Sequence, residues 1–318
     1  MQLERLIEIN NEELISIMEF MFGISVSSLL LNSKYYSEYN SDFEDLSFCV
    51  FSDDFSSIVL FLIYRINDKL TLDESGARIF VRENSHQDSM KTALKHIDSI
   101  FCAEHINFIH ISNYLQNGNL SKIDNMLLAQ GYSSRLIFDM SVSSREYDLD
   151  LYHSSIRKSY KSLINWGRKN ISISYVNEKN LDKQAFDSFR SFHRKVSNKV
   201  TRSLESWDIQ YDMISRGYGE LSLGYKDGDL VTGILALRHL NMIFYAVGVH
   251  ERELFKYGLS HYILYDAVSR NLSNTNNPSF LLGYYDTTVK DKKTSSINFF
   301  KKGFCPNLKP LIVWYKEK

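Results

Sequence analysis

The stretch from Glu220 to Val249, ELSLGYKDGDLVTGILALRHLNMIFYAVGV, predicts three consecutive antiparallel strands. Strand-forming residues fill the runs Glu220 to Tyr225, Leu230 to Arg238 and Met242 to Val249. Between the first two runs lies Lys226-Asp227-Gly228-Asp229, and Asp-Gly tolerates the positive φ angles of a two-residue hairpin. The stretch therefore indicates the antiparallel centre of a sheet.

Helices and strands alternate on both sides of this centre. The predicted helices of the second half are Leu151 to Asn170, Leu181 to Val196, Leu204 to Arg216, Phe255 to Leu272 and Thr294 to Phe300, and its outer strands are Ile171 to Val176, Phe280 to Gly283 and Leu308 to Trp314. The first half repeats the pattern, beginning with a helix from Leu3 to Phe22, followed by strands, a helix from His86 to Cys102, a strand, a helix and a strand. This repetition predicts an α/β fold of two tandem α+β layered units, 1–148 and 149–318, each a mixed, largely antiparallel sheet flanked by helices. One large mixed domain is the alternative.

The bulk composition excludes several function classes. With 37 Lys+Arg against 38 Asp+Glu, no overall field favours DNA, although a local basic groove stays open. The N-terminus lacks the features of a secretory signal, and the longest apolar run, Ile58 to Tyr64, is too short for a membrane span. We therefore expect a cytoplasmic monomer or homodimer that does not insert into a membrane.

The cysteines give no sign of a metal site. Cys49, Cys102 and Cys305 lie far apart, without a CxxC motif or a nearby histidine pair. We expect buried thiols and no metal.

A strand, a loop and a helix start follow one another from Met242 onward, an arrangement that presents backbone N–H groups to an anion. The loop and helix start supply Arg252, Lys256, Gly258 and Leu259 as candidate ligands for the pyrophosphate of coenzyme A, the donor cofactor of acetyltransferases. The backbone N–H groups from Val247 to Val249 are candidates for polarising the donor carbonyl. Gly258 also suits a plain helix start.

A second cluster crowds a histidine and cations around a helix end. His193 is the first candidate for a general base and His261 the second, and Asp208 is a candidate for orienting a cation or His193. Arg202 and Trp207 lie nearby in sequence as candidate substrate contacts. Cations in a last helical turn equally complement the helix dipole, and Trp207 equally suits an anchor of its helix.

Two further stretches follow sheet or helix ends, where ligand contacts are common. Tyr285 and Asp286 follow the strand that ends at Gly283 and are candidate substrate contacts. Lys301 is a candidate for neutralising a developing oxyanion or a phosphate. Tyr245 or Tyr285 is a candidate for returning a proton to the leaving group, and packing is the alternative for all of these aromatic residues.

The run IRKSYKSLINWGRKN from Ile156 to Asn170, with FLLG at 280–283 and FKKGF at 300–304, resembles the Fem-like branch of the GNAT acetyltransferase superfamily. The resemblance implies two GNAT-like units, the first a scaffold for the acceptor and the second holding the donor. It also implies that Lys301 stabilises the transition state and that Arg157 or Arg168 contacts phosphate.

The resemblance further implies transfer of an acyl group onto an amine. Two donors divide the family: acyl-CoA, used by relatives that modify amino sugars of bacterial surface polysaccharides, and aminoacyl-tRNA, used by Fem ligases that extend a cell-wall precursor. Because no helical insertion for tRNA is visible, we expect acyl-CoA and a nucleotide-linked amino sugar. A catalytically silent binding protein with the same fold is the third possibility.

Overall fold

The structure is a computed structural model that describes residues 1–103, 105–115, 117–273 and 279–318. The elements up to β9 are β1 Gln2–Arg5, a 3-10 helix Leu6–Glu8, α1 Glu12–Phe22, α2 Val26–Tyr39, β2 Phe43–Asp45, β3 Phe48–Phe51, β4 Ile58–Leu62, β5 Tyr64–Ile66, β6 Lys69–Thr71, β7 Ala77–Val81, α3 Gln87–Phe101, β8 Phe108–Tyr114, α4 Lys122–Ala129 and β9 Ser133–Val142. The remaining elements are α5 Leu149–Ser155, α6 Tyr160–Asn170, β10 Ser172–Val176, α7 Lys183–Ser197, α8 Leu204–Ser215, β11 Gly219–Lys226, β12 Asp229–His239, β13 Met242–His250, a 3-10 helix Arg252–Tyr257, α9 Leu259–Ser273, β14 Ser279–Tyr285, α10 Lys292–Lys302 and β15 Lys309–Glu317.

The chain divides into two compact units, and both are discontinuous in sequence. The first comprises Met1–Val26, Asn40–Asp139 and Lys309–Lys318, and the second comprises Ser27–Tyr39 and Met140–Leu308. The division predicted at 148/149 differs because it assigned α2 to the first unit and β15 to the second. Fold class agrees with the prediction, since each unit carries a mixed, largely antiparallel sheet with helices against it.

The first unit has the strand order β1-β3-β4-β7-β8-β15-β9. The last strand of the sequence, β15, lies between β8 and β9 and is antiparallel to both. β7 and β8 are parallel over only Ala77↔Ile111 and Arg78↔Ser112. Helices α3 and α4 cover one face and bury a core that includes Leu94, Ile97 and Leu127.

The second unit has the order β14-β13-β12-β11-β10. The predicted hairpin at Asp227-Gly228 is confirmed, with φ angles of 53° and 91° at the two residues. Helices α5, α6 and α9 pack on one face of this sheet and α7 and α8 on the other, so that the sheet has a separate core on each side.

Two predicted helices are wrong in extent. The helix predicted from Leu3 begins only after Asn11, whose side chain accepts the N–H of Leu14 as an N-cap, and Gln2–Arg5 instead pairs with β3. The helix predicted from Leu151 to Asn170 is two helices, because Ile156 is extended and the Arg157 N–H donates to the Gly303 carbonyl.

Two of the cysteines, Cys49 and Cys305, are buried as predicted, whereas Cys102 is exposed at the end of α3. Among the described residues, no single helix has the length and hydropathy of a membrane span, and α1 and α2 pass that test only as a pair bent by 89°.

Candidate active site in the second unit

The parallel strands β13 and β14 pair over a short length. Their ladder covers three residue pairs, Met242↔Ser279 to Phe244↔Leu281, although β13 runs on to His250 and β14 to Tyr285. Beside this ladder β13 carries a bulge, since Leu235 faces Val247 while the next residue, Ala236, faces Tyr245. A bulge rotates the following side chains and interrupts pairing, which is why bulges are common next to active sites. Pairing therefore ends at Phe244 and Leu281, and the gap between β13 and β14 beyond these residues is called the opening below.

Lys301 lies at this opening, at the C-terminal end of α10. Its ammonium is 5.1 Å from the ring centroid of Tyr245 on β13. On the β14 side it approaches Gly283, where a Cβ atom would lie 3.1 Å from Nζ. Gly283 has φ +133°, which side chains disfavour, so this position suits glycine in both conformation and space. The structure thus brings together two predicted residues, Lys301 and Tyr245.

The Tyr245 side chain extends along its own strand and places its hydroxyl beside Gly248. A Cβ atom at Gly248 would lie 1.8 Å from the Tyr245 Oη, so only glycine leaves space for this rotamer. Burial raises the pKa of Tyr245 well above its usual range. At neutral pH the hydroxyl is therefore protonated and able to donate a hydrogen bond.

Two histidines flank the same face of β13. His250 follows Gly248 by two residues, and its Nδ1 lies 2.7 Å from the Thr232 Oγ1, which fixes the imidazole plane. His261, in the first turn of α9, packs against Phe300 at 5.0 Å between ring centroids. Burial lowers the pKa of both histidines to about 4, with His261 adding to the effect at His250 and Arg157 to that at His261. Both imidazoles are consequently neutral at pH 7.

His261 was the second candidate for a general base, and His250 was missed. Strand alternation would have found His250 only if the bulge had been known, because one extra residue changes which side chains share a face with Tyr245. No apolar pattern in YAVGVH marks that extra residue.

The structure does not bring His193 to Lys301. His193 packs edge-on against Trp207 at 5.4 Å, and both belong to the α7–α8 side of the sheet, where Val247 and Val249 are also buried. Tyr245 packs on the opposite, α9 side. Burial and the Arg202 charge lower the pKa of His193, which places this histidine in a packed environment of its own.

The residues around His193 have partners of their own. Asp208 forms an ion pair with Lys183, which agrees with the alternative in which it orients a cation and not His193. The Arg202 guanidinium lies 4.7 Å from the Trp207 ring and donates to Gln210. These contacts agree with the alternative in which the cluster anchors α7 and α8.

The loop predicted to cradle pyrophosphate forms a 3-10 helix, Arg252–Tyr257, and N–H groups at both of its ends already have acceptors. The Arg252 N–H donates to the Glu251 carboxylate, and the Gly258 N–H donates to the Phe255 carbonyl. Gly258 has φ +74°, and a Cβ there would lie 2.7 Å from the Leu163 Cβ of α6. Leu259 is fully buried. Two of the predicted N–H donors are therefore already used within the chain, and Gly258 permits the close approach of α6.

The other predicted contacts lie near α6, α9 and β14. The exposed Lys256 lies 4.9 Å from the Tyr257 ring, and Arg168 lies 5.8 Å from the Tyr265 ring. Tyr285 is the last residue of β14, and the Lys302 ammonium lies 5.0 Å from its ring centroid. Asp286 accepts the Thr288 N–H at 2.8 Å and caps the turn that follows. The Arg157 side chain is bound to a backbone carbonyl of α10.

The first unit carries a cavity of about 550 Å³ at the equivalent place in its own sheet. It is lined where β7 and β8 stop pairing, by Ile79–Ser85, the start of α4 at Ser121–Ile123, and Phe22, Met90 and Asn113. The volume is within the range of small-molecule sites. Lys122 is an exposed cation on its rim.

No protein-family model matches the chain, and no curated protein matches it. Solved structures do match over nearly the whole length. The crystal structure of FemX is 12% identical with a TM-score of 0.68, covering 98% of this chain and 97% of that one. The structure of L-PGS from Bacillus licheniformis is 10% identical with a TM-score of 0.56, covering 97% and 92%.

A third match is a tandem GNAT protein from the clavulanic acid biosynthesis pathway, 9% identical with a TM-score of 0.55, covering 99% of this chain and 98% of that one. Identities this low carry information on the fold alone. The chain therefore has the Fem-like, tandem GNAT fold that its sequence resembles.

Proposed function

We propose that this protein is an acyltransferase that moves an acyl group from a donor to an amine. The observation that carries the proposal is the Lys301 ammonium at the opening between β13 and β14, 5.1 Å from the ring centroid of Tyr245, whose hydroxyl is protonated. Attack of an amine on a carbonyl places negative charge on the carbonyl oxygen, and a fixed cation at that point lowers the barrier. The site thus holds both a cation that can stabilise the oxyanion, Lys301, and a hydroxyl that can donate a proton, Tyr245.

Each residue of the candidate site has one step in the proposed reaction. The acceptor nitrogen forms a bond to the carbonyl carbon and loses a proton to a neutral imidazole, His261 or His250. The bond between that carbon and the leaving atom then breaks, and the leaving thiolate or alkoxide takes the Tyr245 proton. Lys301 stabilises the oxyanion between these steps. No covalent enzyme intermediate is required.

We propose acyl-CoA as the donor and the amino group of a nucleotide-linked sugar, in bacterial surface-polysaccharide synthesis in the cytoplasm, as the acceptor. The first unit's cavity supports a small-molecule ligand, with Lys122 suited to an anionic one. The matching tandem GNAT protein was solved without acetyl-CoA, and the fold that it shares with this chain supports acyl-CoA as the donor.

An aminoacyl-tRNA donor is the second candidate, and a specific observation favours it. Two N–H groups of the loop from Arg252 to Gly258 already have acceptors within the chain, whereas the segment Ile156–Asn170 carries five cations and no carboxylate. Such a local basic strip suits nucleic-acid phosphates even in a protein of net charge −1. A binding protein with this fold and no catalytic activity is the third possibility, and the experiment below tests it as well.

The test combines two donors with the wild-type protein and two lysine variants. Purified protein is incubated with acetyl-CoA or with charged tRNA and a panel of nucleotide-linked amino sugars and cell-wall precursors, and products are identified by mass spectrometry. Lys301→Ala is compared with Lys302→Ala, a neighbouring exposed lysine. We expect product with one donor, lost about 100-fold or more in Lys301→Ala and retained in Lys302→Ala. Equal activity in both variants would refute the assignment of Lys301, and no product with any donor would favour the binding protein.

A further inference from the structure

Arg157, in the turn before α6, holds the last turn of α10, which carries Lys301. Its backbone N–H donates to the Gly303 carbonyl at 3.0 Å, and its Nη2 donates to the Phe299 carbonyl at 3.1 Å. The guanidinium also lies 3.9 Å from the Phe299 ring centroid. One residue thus contacts the chain on both sides of Lys301.

Tyr160 completes the same contact from the first turn of α6. Its hydroxyl accepts the Arg157 Nη1 at 2.7 Å and donates to the Phe300 carbonyl at 3.3 Å. Its ring lies against Gly303, where a Cβ atom would be 2.1 Å from a ring carbon. His261 packs edge-on against the other side of that ring, 4.5 Å between centroids. The tyrosine is therefore fixed by its ring and by its hydroxyl.

This contact has a physical reason in the structure of α10. The last four carbonyls of a helix accept no N–H group from within it, and a cation beside them is favourable because of the helix dipole. In α10 the residues after the helix donate to the last three of these carbonyls, and Arg157 donates to the fourth, that of Phe299. Before its last turn α10 contributes little packing, since Asn298 is its one buried residue and the structure describes the whole helix. The orientation of the last turn consequently depends on Phe300, which packs against His261, and on the contacts made by Arg157 and Tyr160.

We propose that Arg157 and Tyr160 are positioning residues that set the orientation of Lys301. This inference rests on the proposed function for its catalytic consequence, but its structural part stands alone. It gives Arg157 a role other than the phosphate contact implied by the resemblance. Because the guanidinium serves two acceptors at once, lysine cannot replace it, although the charge is kept.

The experiment follows Lys301 directly, so that it does not depend on knowing the substrate. Full-length wild type, Arg157→Lys and Tyr160→Phe are pulse-labelled with acetic anhydride from pH 7 to 11, and modification of Lys301 is quantified by peptide mass spectrometry. Arg216→Lys, on an exposed arginine paired with Asp212, is the matched control. Thermal unfolding confirms that each variant is folded.

We expect labelling of Lys301 to change about threefold or more in both variants, because a freed helix turn samples open states, and to be unchanged in Arg216→Lys. With a substrate found, kcat should fall about tenfold to 100-fold while KM changes less than about threefold. Unchanged Lys301 labelling in folded Tyr160→Phe overturns the inference whatever the activity. Changed labelling in a protein without transferase activity supports the positioning role and refutes the proposed function instead.

Discussion

Gly248→Ala should disable the site by moving one hydroxyl group. The added Cβ would lie 1.8 Å from the Tyr245 Oη and 2.6 Å from Cζ, whereas ordinary contact begins at 3.4 Å. The hydroxyl must therefore move by roughly 1.6 Å, the difference between 3.4 and 1.8 Å. A displacement of about 1 Å costs on the order of 100-fold in rate for an oriented group. We expect kcat to fall by about that factor.

The fold should tolerate the same change. Gly248 is exposed, and its φ is not in the left-handed region, so alanine has no backbone penalty there. We expect the free energy of unfolding in denaturant to change by less than about 1.5 kcal/mol. Loss of activity without loss of stability separates a displaced hydroxyl from a damaged strand.

Two measurements test this reasoning. In a double-mutant cycle with Tyr245→Phe, the effects on kcat should be strongly non-additive, because both changes remove the same hydroxyl from its place. In protein with 13C-labelled tyrosine, the Tyr245 pKa should fall toward 10 as the hydroxyl leaves its buried position. Additive effects on kcat, together with an unchanged Tyr245 pKa, would falsify the assigned geometry.

Three other outcomes follow from the structure. Lys301→Arg should keep the charge but lose most activity, since a guanidinium does not fit where a Gly283 Cβ would already approach Nζ to 3.1 Å; recovery of more than half of the wild-type kcat would contradict this. The pKa of His250 is about 4 in the folded state and 6.5 in its usual environment, so the unfolded chain binds more protons as pH falls from 6.5 to 4. The free energy of unfolding should therefore fall across that window, and it should fall less in His250→Gln. Urea unfolding at pH 7 and pH 5 measures both changes. Lys122→Glu should weaken binding of a nucleotide-linked amino sugar at least about fivefold in calorimetry relative to Lys95→Glu, and equal affinities would remove the first unit's cavity from consideration as the acceptor site.

Much of the fold follows from the sequence because strands and hairpins have local causes. The three strands from Glu220 to Val249 and their Asp-Gly turn depend on side-chain type and on positive φ, which are readable in single residues. The break at Ile156 was not predictable in this way. It depends on Gly303, nearly 150 residues away, accepting the Arg157 N–H.

The candidate site residues show the same difference between features with local causes and features that depend on distant contacts. Lys301 and Tyr245 could be proposed as candidates because one lies in a short motif and the other on an obvious strand. Cations surround His193 in sequence and made it the first candidate for a base, yet Arg202 contacts Trp207, and Arg194 and Lys195 lie in the last turn of α7. His250 escaped attention because the bulge in β13 sets which face it shares, and a bulge is a property of two paired strands.

The position of β15 has a consequence for how the protein is made. The first unit's strands β8 and β9 are synthesised early, but the strand that joins them, Lys309–Glu317, leaves the ribosome only after the whole second unit. From Val142 to Lys309 this delay is on the order of 10 to 30 s at usual rates of translation. During that time two hydrogen-bonding edges stay open beside a hydrophobic face, which is a hazard for misassociation. The first unit produced on its own would need Lys309–Lys318 grafted after β9 to close its sheet.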